Sequence, residues 1–151
     1  MLHLQATILI QGTRFTCRAH PCSFGQDGTW WYELNRAFEA WDIQKGDTSI
    51  VVGITDTGTE LNHSDLAANV KYNYADPIDG IDNDADGYTD NFYGWDLGEN
   101  DNDPNSNVVS HGVHVTGLSS AVPDNITGMA GSGYNSKYLP LKITNSTGVL
   151  S

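Results

Sequence analysis

The chain has 151 residues and a mass of 16.4 kDa, with 19 acidic against 7 basic side chains, a formal net charge of -12 and a pI near 4.4. That balance excludes a protein that tracks nucleic-acid phosphates, which needs a basic stripe, and no run approaches the roughly 18 apolar residues of a membrane span. Hydrophobic residues at 38%, charged residues at 17% and 16 glycines exclude a coiled coil or a disordered tail and leave a loop-rich globular chain, one domain or a piece of one.

Residues 1–29 carry no clear hydrophobic period. The apolar stretch 4–10 is too short, and lacks the basic lead, for a secretory signal. Cys17 and Cys22, with His20 between them, are too few for a disulfide scaffold and short of a four-ligand zinc site, which leaves a small disulfide loop or two idle thiols. Residues 1–32 are therefore set apart as an N-terminal segment, and 33–151 as the domain proper. Leu34, Ala37, Phe38 and Trp41 fall at i, i+3, i+4 and i+7, the apolar stripe of a short amphipathic helix, and Gly46-Asp47 supplies a turn.

Residues 49–55 form a nearly continuous β-branched run, the pattern of a parallel strand buried on both faces; it stops at Asp56-Thr57-Gly58. Short strands are expected over 70–74, 92–95 and 138–143, the last with a ladder gap at Pro140. A second helix is expected over 111–121, with Val115, Leu118 and Ala121 inward and Ser110 capping its first turn. Strands alternating with helices predict an α/β fold with a mostly parallel sheet.

Ten of the 19 acidic residues lie in 75–107, and no Lys or Arg interrupts 72–136, so this block repels itself unless something positive sits in it. Asp82-Asn83-Asp84-Ala85-Asp86-Gly87-Tyr88-Thr89-Asp90 sets carboxylates at relative positions 1, 3, 5 and 9, with Gly at 6 for a sharp turn and the Tyr88 carbonyl at 7. Ca2+ fits Asp82, Asp84, Asp86, Tyr88 and Asp90. Tyr93 stands at position 12, where an EF-hand has its bidentate Glu, so the likeness covers the first nine residues only. Magnesium, which holds its water tightly, seldom occupies a protein-only cage.

Asp56 ends a buried parallel strand, where open α/β sheets place their binding crevices. Ser110-His111-Gly112-Val113-His114-Val115 puts a histidine at the start of the second helix, and an imidazole is the side chain best suited to move a proton near neutral pH. Two histidines three apart can also chelate zinc, but a third ligand is missing and no Glu follows His111 as in the zincin motif. His114 is expected to be a hydrogen-bonded neighbour and His63 a surface loop residue.

Ala37-Phe38-Glu39-Ala40-Trp41-Asp42, Ile50-Val51-Val52-Gly53-Ile54-Thr55-Asp56-Thr57-Gly58, His63-Ser64-Asp65-Leu66 and His111-Gly112-Val113-His114-Val115-Thr116-Gly117 together resemble the subtilisin-like serine proteases in order and spacing. Gly128-Met129-Ala130-Gly131 followed by Leu139-Pro140-Leu141-Lys142-Ile143 continues the likeness, which covers about 33–145. The resemblance implies a partial doubly wound, mostly parallel sheet, incomplete at its C-terminal end. It implies an Asp-His-Ser triad in which Asp56 orients His111 and His111 takes the serine proton, a calcium site in the loops between them, a peptide or protein substrate, and an extracellular or cell-envelope location. Two departures are small: Val113 stands where the family has Thr, and Ser64 where it has Pro. The large one is that no Gly-Thr-Ser-Met-Ala segment occurs before Ser151. Gly117-Leu118-Ser119-Ser120-Ala121 continues a helix and cannot form a nucleophile elbow, and Ser132 and Ser151 lack supporting context. The chain alone is therefore expected to be inactive, a fragment of a subtilisin-like endopeptidase that carries the Asp and His without the nucleophile.

Two other readings stay open. A non-catalytic calcium-binding module or pseudoprotease would keep Asp56 and His111 as relics. An aspartic protease would use Asp56-Thr57-Gly58 from two copies to share one proton, but that leaves the His111 segment unexplained. Glycosylation sequons occur at Asn62, Asn125 and Asn145, tripeptides that also arise by chance.

Overall fold

A computed structural model describes residues 7–10, 13–16, 30–106 and 111–145. They fall into two compact units, Met1–Lys45 and Gly46–Ser151. The first holds an antiparallel pair, β1 (Thr7–Ile10) and β2 (Thr13–Thr16), with Ile8 opposite Phe15 and Leu9 opposite Arg14. This pair lies where no period was expected; its trace in the sequence is Thr-Ile-Leu-Ile and Thr-Arg-Phe-Thr on either side of Gln11-Gly12.

The single helix expected from Leu34 is two: α1 (Trp30–Leu34) and α2 (Ala37–Ile43). Arg36 takes a left-handed backbone, φ 59°, and Asn35 Oδ1 accepts the Ala37 N–H at 3.0 Å. That break swings Leu34 out of the stripe, where it is 75% exposed, while Ala37 and Trp41 stay buried. Tyr32 takes the vacated place, its ring centroid 5.2 Å from that of Trp41.

The second unit is built on a parallel sheet in the order β3 (Val51–Asp56), β5 (Lys137–Lys142), β4 (Trp95–Asp96). Val51 pairs with Lys137, Asp56 with Lys142, and Asp96 with Lys142 on the other side. Pro140 sits in this central strand without breaking it. The N–H groups of Lys137 and Ile143 donate to β3 and its extension, so odd-numbered peptide groups of β5 face β3. Even-numbered ones face the other side, where the Tyr138 and Lys142 carbonyls receive the Lys71 and Leu97 N–H groups. The missing N–H of Pro140 thus points between the isolated bridge at Val70 and the start of β4, where no ladder runs. Segments 70–74 and 92–95 are correspondingly not strands: Val70 makes one bridge to Tyr138, and pairing begins only at Trp95, after Gly94 (φ 117°) packs against the Pro140 carbonyl.

Helix α3 (His111–Ser120) covers the face of the sheet that carries Ile54 and Tyr138. The core there is Ile54, Leu66, Val70, Ala121 and Tyr138, with Val52, Val113 and Val115 packed against it. The helix buries a stripe of small side chains, Gly112, Thr116 and Ser120; Val115 and Leu118, expected inward, are only half-buried. Small residues at i, i+4 and i+8 let the helix axis approach the strand closely, and a Cβ on Gly112 would overlap the Gly58 carbonyl. The opposite face carries Val51, which is exposed, and Leu139 and Leu141, which are half-buried, so β3 is buried on one face rather than both. At the C-terminal end of the sheet Lys142 Nζ donates to Asp96 Oδ2 at 2.6 Å, both side chains being at most 2% exposed. Asp96 Oδ1 accepts the N–H groups of Gly98 and Glu99.

Candidate active site

Asp56 is the last residue of β3, and the chain turns away immediately after it. Gly58 makes the turn in a left-handed conformation (φ 95°) that brings its backbone against Pro104 and Asn105, too close for a side chain. Thr59 locks the crossing by exchanging backbone hydrogen bonds with Pro104 and Ser106. The turn leaves Asp56 Oδ1 as acceptor of the Thr57 N–H at 2.7 Å and 2.7 Å from His111 Nδ1, 55 residues on. The Asp56 side chain is 15% exposed and the His111 side chain 65%. Burial raises the Asp56 carboxyl, but hydrogen bonds from His111 and from the Thr57 N–H outweigh it, and the group sits below its ordinary range.

An ionised carboxylate can only accept, so the proton between the two residues belongs to His111 Nδ1. The remaining lone pair is then on Nε2, the arrangement of a general base that an acid holds in one tautomer. The near neighbour of Asp56 is an imidazole and not a second carboxylate. Depression of the Asp56 carboxyl means that its stabilisation is present above the unfolded value of about 3.9 and disappears as the pH falls through the lower folded value. The melting-temperature gap between the chain and its Asp56→Asn variant is therefore expected to narrow steadily below about pH 4; a gap that stays constant down to pH 2 would contradict it.

The other candidates are dispersed. His114 is exposed. His63 is half-buried, its Nδ1 accepting the Asp65 N–H at 3.2 Å. Ser119 and Ser120 lie in the last turn of α3, with Ser119 Oγ donating to the Thr116 carbonyl, so they sit on a helix and not on an elbow. Cys17, His20, Cys22, Ser110 and Ser151 fall outside the described residues. Asp65 is 3% exposed and ties the 122–129 loop to its own turn: it accepts from Asn125 Nδ2 and from the Met129 N–H. The sequon at Asn125 thus has its amide committed to a buried acid.

In the acidic loop the structure draws together Asp76, Asp82 and Asp84, with one carboxylate oxygen of each within 4.8 Å of the others. Asp76 is fully buried and was not anticipated; it precedes the Asp82 motif by six positions and falls outside the spacing that marks that motif. Its oxygens accept the N–H groups of Asn83 and Asn91. Asp86 and Asp90 lie outside this trio, on other donors: Asp86 takes the Tyr88 N–H and Asn91 Nδ2, and Asp90 takes the Asp79 and Gly80 N–H groups. The Tyr88 ring packs edge-on against Trp95, centroids 5.1 Å apart. Gly87 turns with φ 96°, as the sixth position requires. All donors in the trio are carboxylate oxygens, the set a hard divalent cation selects.

Residues 47–151 match the profile of the Subtilase family. The chain is 32% identical over 113 residues to thermitase of Thermoactinomyces vulgaris, an alignment that takes in 75% of the chain and 32% of that protein. It is 31% identical over 114 residues to a thermophilic serine proteinase of Bacillus sp. strain AK1, covering 74% of the chain and 23% of that protein. It is 33% identical over 121 residues to an extracellular protease of Xanthomonas campestris, covering 72% and 20%. The chain thus spans about a third or less of the length of these relatives.

Proposed function

The chain belongs to the subtilase family, and on that premise we propose that it supplies the acid and the base of a serine endopeptidase that hydrolyses peptide bonds. The 2.7 Å contact between Asp56 Oδ1 and His111 Nδ1 carries this reading. In it, His111 Nε2 removes the proton of a serine hydroxyl as that oxygen attacks the scissile carbonyl, and the protonated ring, steadied by Asp56, then delivers the proton to the leaving amine. The exposed ring at the rim of the sheet is open to a substrate, while the acid beneath it is shielded from water, which strengthens its hold on the imidazole.

The serine-directed test is to express the reading frame together with the coding sequence that adjoins it in its genome, and to treat the product with a fluorophosphonate. Labelling and peptide hydrolysis that both require His111 support the proposal. A product that takes no label and hydrolyses nothing points to the non-catalytic reading. The names of the relatives, one of them an extracellular protease, favour an extracytoplasmic setting.

The same reading includes a structural Ca2+ in the acidic loop. Asp82 and Asp84 are common to the spacing motif and to the trio with Asp76, and these oxygens would hold the ion; Asp86, Tyr88 and Asp90 complete the motif. Its role would be to offset the mutual repulsion of the carboxylates and fix the loop between Asp56 and His111. At a concentration of 100 times Kd, calcium is expected to stabilise the chain by about 2.7 kcal/mol, seen as a higher melting temperature. Asp84→Ala combined with Asp86→Ala is expected to abolish the shift, and an undiminished response would place the ion elsewhere.

A further inference from the structure

His111 presents a difficulty that the acid–base pair alone does not resolve. Its side chain is 65% exposed, so packing around the ring does little to hold it, and a single hydrogen bond to Asp56 leaves the imidazole free to swing unless the helix that carries it is pinned. His111 is the first residue of α3, and the first turn of a helix has N–H groups with no partner inside the helix. Ordinarily a side chain just ahead of the helix accepts from its second or third N–H. Here the second one, that of Gly112, donates to Thr57 Oγ1 at 2.9 Å, from 55 residues away.

We propose that Thr57 is a positioning residue for the acid–base pair: its hydroxyl caps α3 from the end of β3 and so fixes the angle at which His111 meets Asp56. The proposal rests on the reading of Asp56 and His111 as that pair. Two consecutive residues of the strand end grip two consecutive residues of the helix start, Asp56 on His111 and Thr57 on Gly112. The grip is possible because Gly112 has no Cβ; one would collide with the Gly58 carbonyl. Thr57 also presents its own N–H to Asp56 Oδ1 at 2.7 Å, and its hydroxyl hydrogen-bonds the same carboxyl, so one residue holds both the carboxylate and the start of the helix that carries the imidazole. Gly112 is buried, and without the hydroxyl its N–H loses its acceptor in a place where that is costly.

The test follows the His111 Nδ1 proton by 15N-resolved NMR in the 151-residue chain, for Thr57→Val, which keeps the shape and removes the acceptor, and Thr57→Ser, which restores the hydroxyl. The expected result is a hydrogen-bonded Nδ1 proton in the unsubstituted chain and in Thr57→Ser, with solvent exchange faster by about tenfold or more in Thr57→Val. Unchanged exchange in Thr57→Val, or equal losses in the two variants, overturns the proposal. A missing Nδ1 proton in the unsubstituted chain is a different failure, that of the acid–base pair itself. Should Thr57→Val not fold, Asp56→Asn decides: the Gly112 amide is expected to keep its protection from hydrogen exchange, because the cap does not depend on the ion pair, and loss of that protection overturns the proposal.

Discussion

In a peptidase built on this chain, alanine at His111 is expected to lower kcat by on the order of a million-fold, the size that subtilisin shows for loss of its base, with little change in KM. The reason is that the ring contributes only once the serine proton begins to move, so its removal is felt in the transition state and not in substrate binding. Asp56→Asn is expected to cost less, about ten-thousand-fold. An asparagine can still pair with Nδ1, but its amide can donate there and thereby drive the ring proton to Nε2, where the base must be bare. Steady-state and single-turnover hydrolysis of a chromogenic peptide would measure both. A His111→Ala enzyme within tenfold of the unsubstituted rate would refute the assigned role.

Replacement of Lys142 by methionine is expected to destabilise the chain by about 3–5 kcal/mol, since it leaves Asp96 charged, buried and without its cation. The pair at 2.6 Å is almost entirely removed from water, and the backbone donors on the other Asp96 oxygen hold the carboxylate in place without neutralising it. Lys142 is also in register with Asp56, and the N–H of the following residue, Ile143, donates to the Asp56 carbonyl at 2.9 Å. The loss should therefore be felt at the strand end that carries the acid. Urea denaturation measures the effect, and Lys142→Met combined with Asp96→Leu is expected to recover most of it, because a buried pair is often no more stable than the apolar groups that could replace it. A single-variant loss under about 1 kcal/mol would show that the pair is solvated.

The parts of the fold that were legible in the sequence are those with an uninterrupted local pattern. The β-branched run before Asp56, the 138–143 strand and the 111–121 helix all occur within a residue or two of their expected limits. What was hidden depends on partners far away in the chain. The inward stripe of α3 is Gly112, Thr116 and Ser120, which no hydrophobic period could reveal, because its members are small rather than apolar; at Gly112 the close approach of the Gly58 carbonyl demands it. The helix break at Arg36 is a left-handed turn at a residue that seldom adopts one. Likewise Asp82 and Asp84 stand out by spacing, while Asp76 joins them only through the turn that ends on it, its N–H donating to the Asn73 carbonyl, and through the Asn83 and Asn91 donors.

Val51 pairs with Lys137, 86 positions later, and nothing nearer in the chain offers β3 a parallel partner among the described strands. At about 5–20 residues per second of synthesis, β3 emerges from the ribosome several seconds before β5. Ten of the 19 acidic residues, those of 75–107, are translated in that interval, so β3 waits for its mate while a self-repelling segment is made.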